Sequence, residues 1–456
     1  MSPSIAETVA RLRTTFASGR TKPAAWRVRQ LDALGRLLAE REDQIVEALA
    51  ADLGREAFES WFADMASTRI ELVDAKKSLS KWMRPRRVST PLSMQPGKSW
   101  IQYEPLGVVL VISPWNYPFY LAVGPLIAAL AAGNCVILKP SEHAPATSAL
   151  LAELLPAYLD ADAVAVVEGA AEETQELLDQ AMDHVLFTGG PGIAKAIMAG
   201  AAKHLTPVTL ELGGKSPVII TKGTDLEVAA RRVVYGKHLN SGQTCIAPDY
   251  VLADRAVAET FAKEVAKAVD AMTEGTDGKA RPIVNERHAK RLAGLLDGHG
   301  GKVVHGGGSA PDDKRVDFSV VLDPDTDSPL MTEEIFGPIL PIVSYGSFGE
   351  ALEFIRSRPK PLAAYLFSPS KEDERRFLAD VSAGGVVINQ VGYHVLNPNL
   401  PFGGVGNSGM GAYHGEFGFE AFSHRKAVMR KGTSPDPKFI YPPYTESTKK
   451  LLRRLL

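Results

Sequence analysis

Two cysteines in 456 residues, Cys135 and Cys245, are too few for a disulfide framework. That scarcity fits a reducing compartment, and a cytoplasmic location is expected. No apolar run is long enough to span a bilayer. Neither sign of charge prevails: the formal net charge is −2, so nothing draws the chain toward nucleic acid. No internal repeat, low-complexity segment or metal-ligand cluster stands out, and no metal site is expected. The first twenty residues hold Arg11, Arg13 and Arg20 without an apolar signal core; Glu7 and an early helical pattern speak against a transit peptide. The basic, leucine-rich end, Lys449 to Leu456, reads as a solvated helix end, with a membrane-touching tail as the lesser alternative, and a membrane is not expected as a partner.

What is present is a long chain with ordinary apolar content, enough for two large domains with decoration. Leu31, Leu34, Leu37 and Leu38 repeat at helical spacing, and residues 24–83 read as helical with a stop at Gly54. Pro85, Pro91, Pro96 and Gly97 then break the pattern, and Ser99–Tyr103 alternates like a strand. Residues 84–105 are expected to form a two-stranded excursion that docks on a neighbouring subunit. From residue 107 the rhythm is strand, turn, helix. Val108–Ile112 and Cys135–Leu138 are continuous apolar runs, as in parallel strands buried on both faces. A doubly wound parallel sheet is expected here, and a second α/β unit after Glu211. Seven glycines between Gly403 and Gly418 predict an ordered, tightly turning surface.

Several segments carry chemistry. Cys245 ends Asn240-Ser241-Gly242-Gln243-Thr244-Cys245, a polar lead-in unlike the apolar strand that holds Cys135. Glu211 precedes a glycine pair in Leu210-Glu211-Leu212-Gly213-Gly214-Lys215. A thiolate attacks an aldehyde or acyl carbon, and a carboxylate then activates water. Phe187-Thr188-Gly189-Gly190-Pro191-Gly192 runs from strand into helix, a place for a phosphate, although a bare tight turn gives the same pattern. Lys139-Pro140-Ser141-Glu142 ends a parallel strand, where a lysine and a carboxylate hold ribose hydroxyls or form a solvated loop. Asn116, in Pro114-Trp115-Asn116-Tyr117-Pro118, is an amide donor for an oxyanion or a turn residue. Glu333-Glu334-Ile335-Phe336-Gly337-Pro338 offers a carboxylate before a tight turn. His184, His204, His238 and His394 sit in no recognisable motif, so a histidine-activated thiol hydrolase is not favoured.

Taken in order from residue 114 to 404, PWNYP, LKPSE, FTGG, LELGGK, NSGQTC, EEIFGP and PFGG resemble the aldehyde dehydrogenase superfamily. GQTCIAPDYVL, PFGGVGNSGMGAYHG and FSHRKAV look like its class 3-like branch, which includes coniferyl, aromatic and fatty aldehyde dehydrogenases. The resemblance covers nearly the whole chain and is weakest before residue 100. It implies an atypical Rossmann domain (1–83 and 106–210), a second α/β catalytic domain (211–409), and oligomerisation segments (84–105, as a β-hairpin, and 410–456) in a homodimer. It makes Cys245 the nucleophile and Glu211 the general base, with Asn116 and the Cys245 amide as the oxyanion hole. Lys139 and Glu142 would hold the adenosine ribose of NAD, with NADP also possible. Glu334 would hold the nicotinamide ribose beside Phe336, Thr188 and Gly189 would lie near the pyrophosphate, and Trp115 joins the cofactor-binding residues. Ala194 stands where many relatives have glycine, with little loss expected.

The expected reaction is NAD(P)-dependent oxidation of a medium-chain or aromatic aldehyde to the acid, with Leu121, Leu239, Val395 and Tyr413 expected at an apolar entrance. Two alternatives stay open. A CoA-acylating or acyl-phosphate-linked reductase would generally do without the water-activating Glu211. A non-catalytic cofactor-binding scaffold would be signalled by loss of Cys245, Asn116 or Glu211, all of which are present.

Overall fold

The computed structural model describes residues 3–274 and 281–455. Two separate sheets organise the chain. Val108–Ile112 sits in the middle of the first because all five of its residues are buried, which only a strand covered on both faces tolerates. Cys135–Lys139 and then Val164–Val166 lie to one side of it in parallel; His184–Thr188 and Val208–Glu211 lie to the other. Chain direction across the sheet therefore reverses between Val108–Ile112 and His184–Thr188, and ligands of open parallel sheets bind at such a switch, beyond the carboxyl ends of the strands. Gly409–Met410 closes the edge antiparallel to Val208–Glu211, with Gly409 opposite Glu211. Gly409 has φ 140, and a Cβ there would stand 2.1 Å from the Leu210 carbonyl oxygen, so glycine is what lets this edge form.

The second sheet orders its strands as Lys302–His305, Ser319–Leu322, Ile339–Tyr345, Tyr250–Asp254, Pro217–Ile220, Ala363–Phe367 and Gly385–Ile388. All neighbours are parallel except the first pair. The chain passes from the first sheet to the second between Glu211 and Pro217, so the step falls just after the strand that carries Glu211.

Carboxylates from the helical N-terminal region cap helices of the first sheet. Asp52 accepts from Ala146 N at 2.9 Å and Thr147 N at 2.8 Å, at the start of Pro145–Tyr158. Asp64 accepts from Phe119 N at 3.1 Å and Tyr120 N at 2.8 Å, at the start of Tyr120–Ala132. Each cap satisfies amides that a helix cannot pair for itself. The expected stop at Gly54 is a left-handed residue (φ 62) after Glu42–Leu53, and the helical stretch also holds a π-helical turn at Trp61–Ala66.

The excursion at 84–105 differs from expectation. Arg86–Val88 and Gly97–Pro105 pair, but Ser423–Lys431 adds a third antiparallel strand along the full length of Gly97–Pro105. The hairpin and part of the later segment thus pair within one chain as a three-stranded sheet. A two-stranded ribbon is marginal in water, and the third strand supplies what it lacks.

Candidate active site

Strand ends of the first sheet bring the sequence-predicted residues to one edge. Asn116 follows Val108–Ile112, Lys139 ends Cys135–Lys139, Thr188 ends His184–Thr188 and Glu211 ends Val208–Glu211. The second unit delivers Cys245 from the turn after Leu226–His238. That turn is strained. Asn240 (φ 51) and Ser241 (φ 54) are both left-handed, and at Gly242 a Cβ would meet the Gly337 carbonyl oxygen at 2.3 Å.

Hydrogen bonds hold it there. Asn240 Nδ2 donates to the Asn116 carbonyl at 2.9 Å and to the Gln243 carbonyl at 3.1 Å. Asn116 Nδ2 donates to the same Gln243 carbonyl at 3.1 Å, which leaves its second N–H for another acceptor. Gln243 Nε2 donates to the Asn240 carbonyl at 3.0 Å, and its Oε1 accepts from Val284 N at 2.9 Å. Tyr117 and Thr244 share a hydroxyl contact of 2.6 Å.

The electrostatics separate the two cysteines less than the sequence suggested. Burial pushes the Cys135 thiol up to about 12. Cys245 is half-buried, yet burial and the carboxylates of Glu334 and Glu211 also push its thiol up to about 12. The amides of Cys245 and Ile246 pull the other way, a donor pair that Cys135 lacks. Glu211 is 2% exposed, and among the described residues neither of its carboxylate oxygens has a hydrogen-bond partner. Burial alone lifts its carboxyl well above the usual range. A buried, unpartnered acid is costly, and such groups concentrate where chemistry needs them.

Glu334 is packed against the glycine pair: a Cβ on Gly213 would lie 2.2 Å from its Oε1. Burial raises its carboxyl to about 7, against a bond from the Gly214 amide. Phe336, itself at φ 47, meets Trp115 edge to face with centroids 5.5 Å apart. Lys139 is 3% exposed and donates to Glu142 Oε2 at 3.3 Å. Thr188 Oγ1 is buried without a partner among the described residues. Gly189 donates to the Glu211 carbonyl at 3.0 Å and has no room for a side chain, since Phe187 would stand 2.5 Å from its Cβ. Next to it, Gly190 and Gly192 face open space at the start of Pro191–Ala202. Ala194 is buried in that helix.

Of the residues expected at the entrance, Tyr413 lies within electrostatic reach of both Glu211 and Cys245. It is buried, its hydroxyl has no partner among the described residues, and it forms an isolated bridge with Phe402. Leu121 is buried in the first turn of Tyr120–Ala132, Leu239 caps Leu226–His238, and Val395 lies in the turn Tyr393–Leu396.

Three groups that sequence reasoning missed complete the surroundings. Arg55 and Asp64 form a buried ion pair at 2.6 Å, and Arg55 Nε also donates to Asn240 Oδ1 at 2.9 Å. Glu71 pairs with His414, whose Nδ1 is 3.2 Å from the Tyr120 hydroxyl. Lys237 is buried, and burial draws its ammonium down to about 8, opposed by the nearby Asp249 carboxylate. Arg55 and Asp64 lie in no motif, and Glu71 and His414 are 343 residues apart, so spacing carries no signal for either pair. Only the lysine left a trace, as a charge four residues before Ser241 on the helix leading to Cys245.

The sequence model of the aldehyde dehydrogenase family matches residues 2–428. The chain is 47% identical over 458 residues to aldehyde dehydrogenase family 3 member H1 of Arabidopsis thaliana, covering 98% of this chain and 94% of that one. It is 45% identical over 446 residues to the dimeric NADP-preferring aldehyde dehydrogenase of Rattus norvegicus, covering 96% and 98%. Its fold superposes on the substrate-bound state of Staphylococcus aureus AldH with a TM-score of 0.96, 39% identity and full coverage of both chains. With buried, strand-end placement of the motif residues and likeness along nearly its whole length, the chain belongs to the aldehyde dehydrogenase family, in its class 3-like branch, and is an oxidoreductase acting on aldehydes.

Proposed function

We propose that the protein oxidises a medium-chain aliphatic or aromatic aldehyde to the carboxylic acid with NAD(P), through a thioester on Cys245 that a Glu211-activated water hydrolyses. The observation that carries this reading is Glu211 itself: a fully buried carboxylate with both oxygens unpartnered among the described residues, within electrostatic reach of the Cys245 thiol. An acylating reductase generally does without such a base.

The residues at the first sheet's edge fit a dinucleotide. Among the described residues Thr188 Oγ1 lacks a partner, Gly190 and Gly192 leave open space at a helix start, and Lys139 is held beside Glu142 at a strand end. In this reading Lys139 and Glu142 hold the adenosine ribose, Thr188 and Gly189 flank the pyrophosphate, and Glu334, Phe336 and Trp115 serve the nicotinamide end. Bound there, NAD(P) accepts the hydride. The Glu142 carboxylate disfavours a 2′-phosphate by charge, whereas the rat relative's name says NADP-preferring, so competition between the two cofactors decides preference.

The chain's own residues do the rest. Cys245 Sγ adds to the aldehyde carbon. The free N–H of Asn116 and the Cys245 amide take the oxygen that becomes negative, each donor worth about 2.7–4 kcal/mol in such sites. After oxidation Glu211 removes a proton from water as it attacks the thioester, and the Cys245 thiolate leaves. Leu121, Leu239, Val395 and Tyr413 shape the aldehyde's apolar end.

Residues 1–83 and 106–210 serve the cofactor, 211–409 the chemistry, and 84–105 with 410–456 a homodimer. The nine-residue edge Ser423–Lys431 supports the dimer, because a long open strand edge invites pairing. The free cysteines keep a cytoplasmic location within the reading.

The test is NAD(P)H formation over a panel of aliphatic and aromatic aldehydes, with and without CoA, beside Cys245→Ala. CoA-independent turnover that needs Cys245 is expected. Turnover only with CoA would remove Glu211 from the base role, and silence on every aldehyde would favour a scaffold.

A further inference from the structure

Arg55 takes no step in the proposed chemistry, yet it grips both loops that carry it. It follows Gly54, the left-handed stop of Glu42–Leu53, and is 4% exposed. Each nitrogen of its guanidinium has a partner of its own. Nη1 pairs with Asp64 at 2.6 Å, Nε donates to Asn240 Oδ1 at 2.9 Å, and Nη2 donates to the Asn116 carbonyl. The guanidinium carbon lies 4.5 Å from the centroid of the Tyr117 ring, and the Tyr117 hydroxyl meets Thr244 Oγ1 at 2.6 Å, one residue before Cys245. Asp64 in turn accepts from Phe119 N and Tyr120 N, which fixes the far end of the Asn116 loop. A planar fork sets the angles among such partners; a lysine ammonium carries the same charge on a single nitrogen.

The turn before Cys245 needs this support. Asn240 and Ser241 are left-handed, at φ 51 and φ 54. Residues other than glycine stay in that region only where their surroundings over-determine it. Asn240 is held at every polar atom of its side chain: Oδ1 by Arg55, and Nδ2 by the Asn116 and Gln243 carbonyls. Its main-chain N–H donates to Glu59 Oε1 at 2.9 Å. Glu59 pairs with Arg281, whose carbonyl accepts from Ser241 Oγ at 3.2 Å. Of these groups, Arg55 alone touches Asn116 and Asn240 together from a third part of the chain.

We propose that Arg55 is a positioning residue for aldehyde oxidation: it holds the Asn116 loop and the Cys245 turn in one register, so that an aldehyde attacked by Sγ has its oxygen at the Asn116 N–H. This rests on the roles given above to Cys245 and Asn116. Arg55 touches no reacting atom and acts through those two segments. A misplacement of about 1 Å caused far from the chemistry costs about 10²-fold in rate.

Steady-state kinetics of Arg55→Met, Arg55→Lys, Asn116→Ala and the paired variants test it, with melting temperatures and NAD affinity by fluorescence titration. Arg55→Met is expected to lower kcat by about 10²-fold while KM for the aldehyde stays within about twofold of the parent. Arg55→Lys keeps an ion partner for Asp64. It is expected to melt close to the parent and to recover only part of kcat, remaining about tenfold low. In the Asn116→Ala background the loss of Arg55 is expected to cost no more than about tenfold, because residues of one network are not additive. A role in stability alone would cost the same factor with and without the Asn116 side chain, and lysine would restore kcat in full; either result overturns the proposal. Where the methionine variant does not fold, the lysine variant with and without Asn116→Ala decides. Parent turnover that needs Cys245 but is indifferent to Arg55 strikes only the positioning role, whereas a parent silent on every aldehyde strikes the oxidation itself.

Discussion

Asn240 Nδ2 donates to the main-chain oxygen of Asn116 at 2.9 Å, across 124 residues of sequence. The bond joins the loop after a strand of the first sheet to the left-handed turn that presents Cys245 in the second unit. Asn116 returns a bond to Gln243 within that same turn. The proposed nucleophile, Cys245, and the proposed oxyanion donor, Asn116, therefore share one network, and a change at either asparagine is felt at both.

Asn116→Ala removes the side-chain N–H assigned to the oxyanion and is expected to lower kcat by about 10²–10³. Its melting temperature should change little compared with that loss. A kcat within a few-fold of the parent would take Asn116 out of the oxyanion hole.

Cys245→Ala is expected to abolish turnover and leave cofactor affinity intact, measured by titration of protein fluorescence with NAD. Residual steady turnover would point to another nucleophile, and Cys135, buried in its strand, is not placed to serve.

Glu211→Gln is expected to slow hydrolysis of the thioester most. A rapid first burst of NADH followed by a depressed steady rate is the pattern to look for in stopped-flow absorbance. Absence of the burst would mean that acylation, not water activation, depends on this carboxyl.

Glu334 gives a pH-dependent signature. Its carboxyl is raised from 4.5 unfolded to about 7 folded, mainly by burial. Between those values the folded state binds more protons than the unfolded one, so this group costs stability as pH rises from about 4.5 to 7. Glu334→Gln should flatten that part of the stability curve, with the variant gaining on the parent toward pH 7 in melts across the range. A constant offset at every pH would contradict the shift.

Arg55→Met leaves Asp64 buried without its ion partner and loosens Asn240. Loss of one partner of a buried pair costs about 3–5 kcal/mol, readable as a lower denaturation midpoint. A midpoint unchanged from the parent would mean that Asp64 is carried by its bonds to Phe119 N and Tyr120 N alone.

Local pattern determined much of this protein before any fold was known. Val108–Ile112 and Cys135–Lys139 declare themselves because strands covered on both faces must be apolar throughout. Gly54 ends its helix because a left-handed residue tolerates no Cβ without strain. Cys245 and Asn116 stood out as candidates for a related reason: they sit in turns, and turns write glycine and proline around them; Glu211 stood out at a strand end before a glycine pair. Other features were decided only by tertiary structure. The third strand at Ser423–Lys431, the Arg55–Asp64 pair and the Glu71–His414 pair join residues whose sequence neighbourhoods carry no trace of each other. Burial decided the ionisation of Glu211 and Glu334 in the same way, because the cost of a charge depends on what the whole fold packs around it.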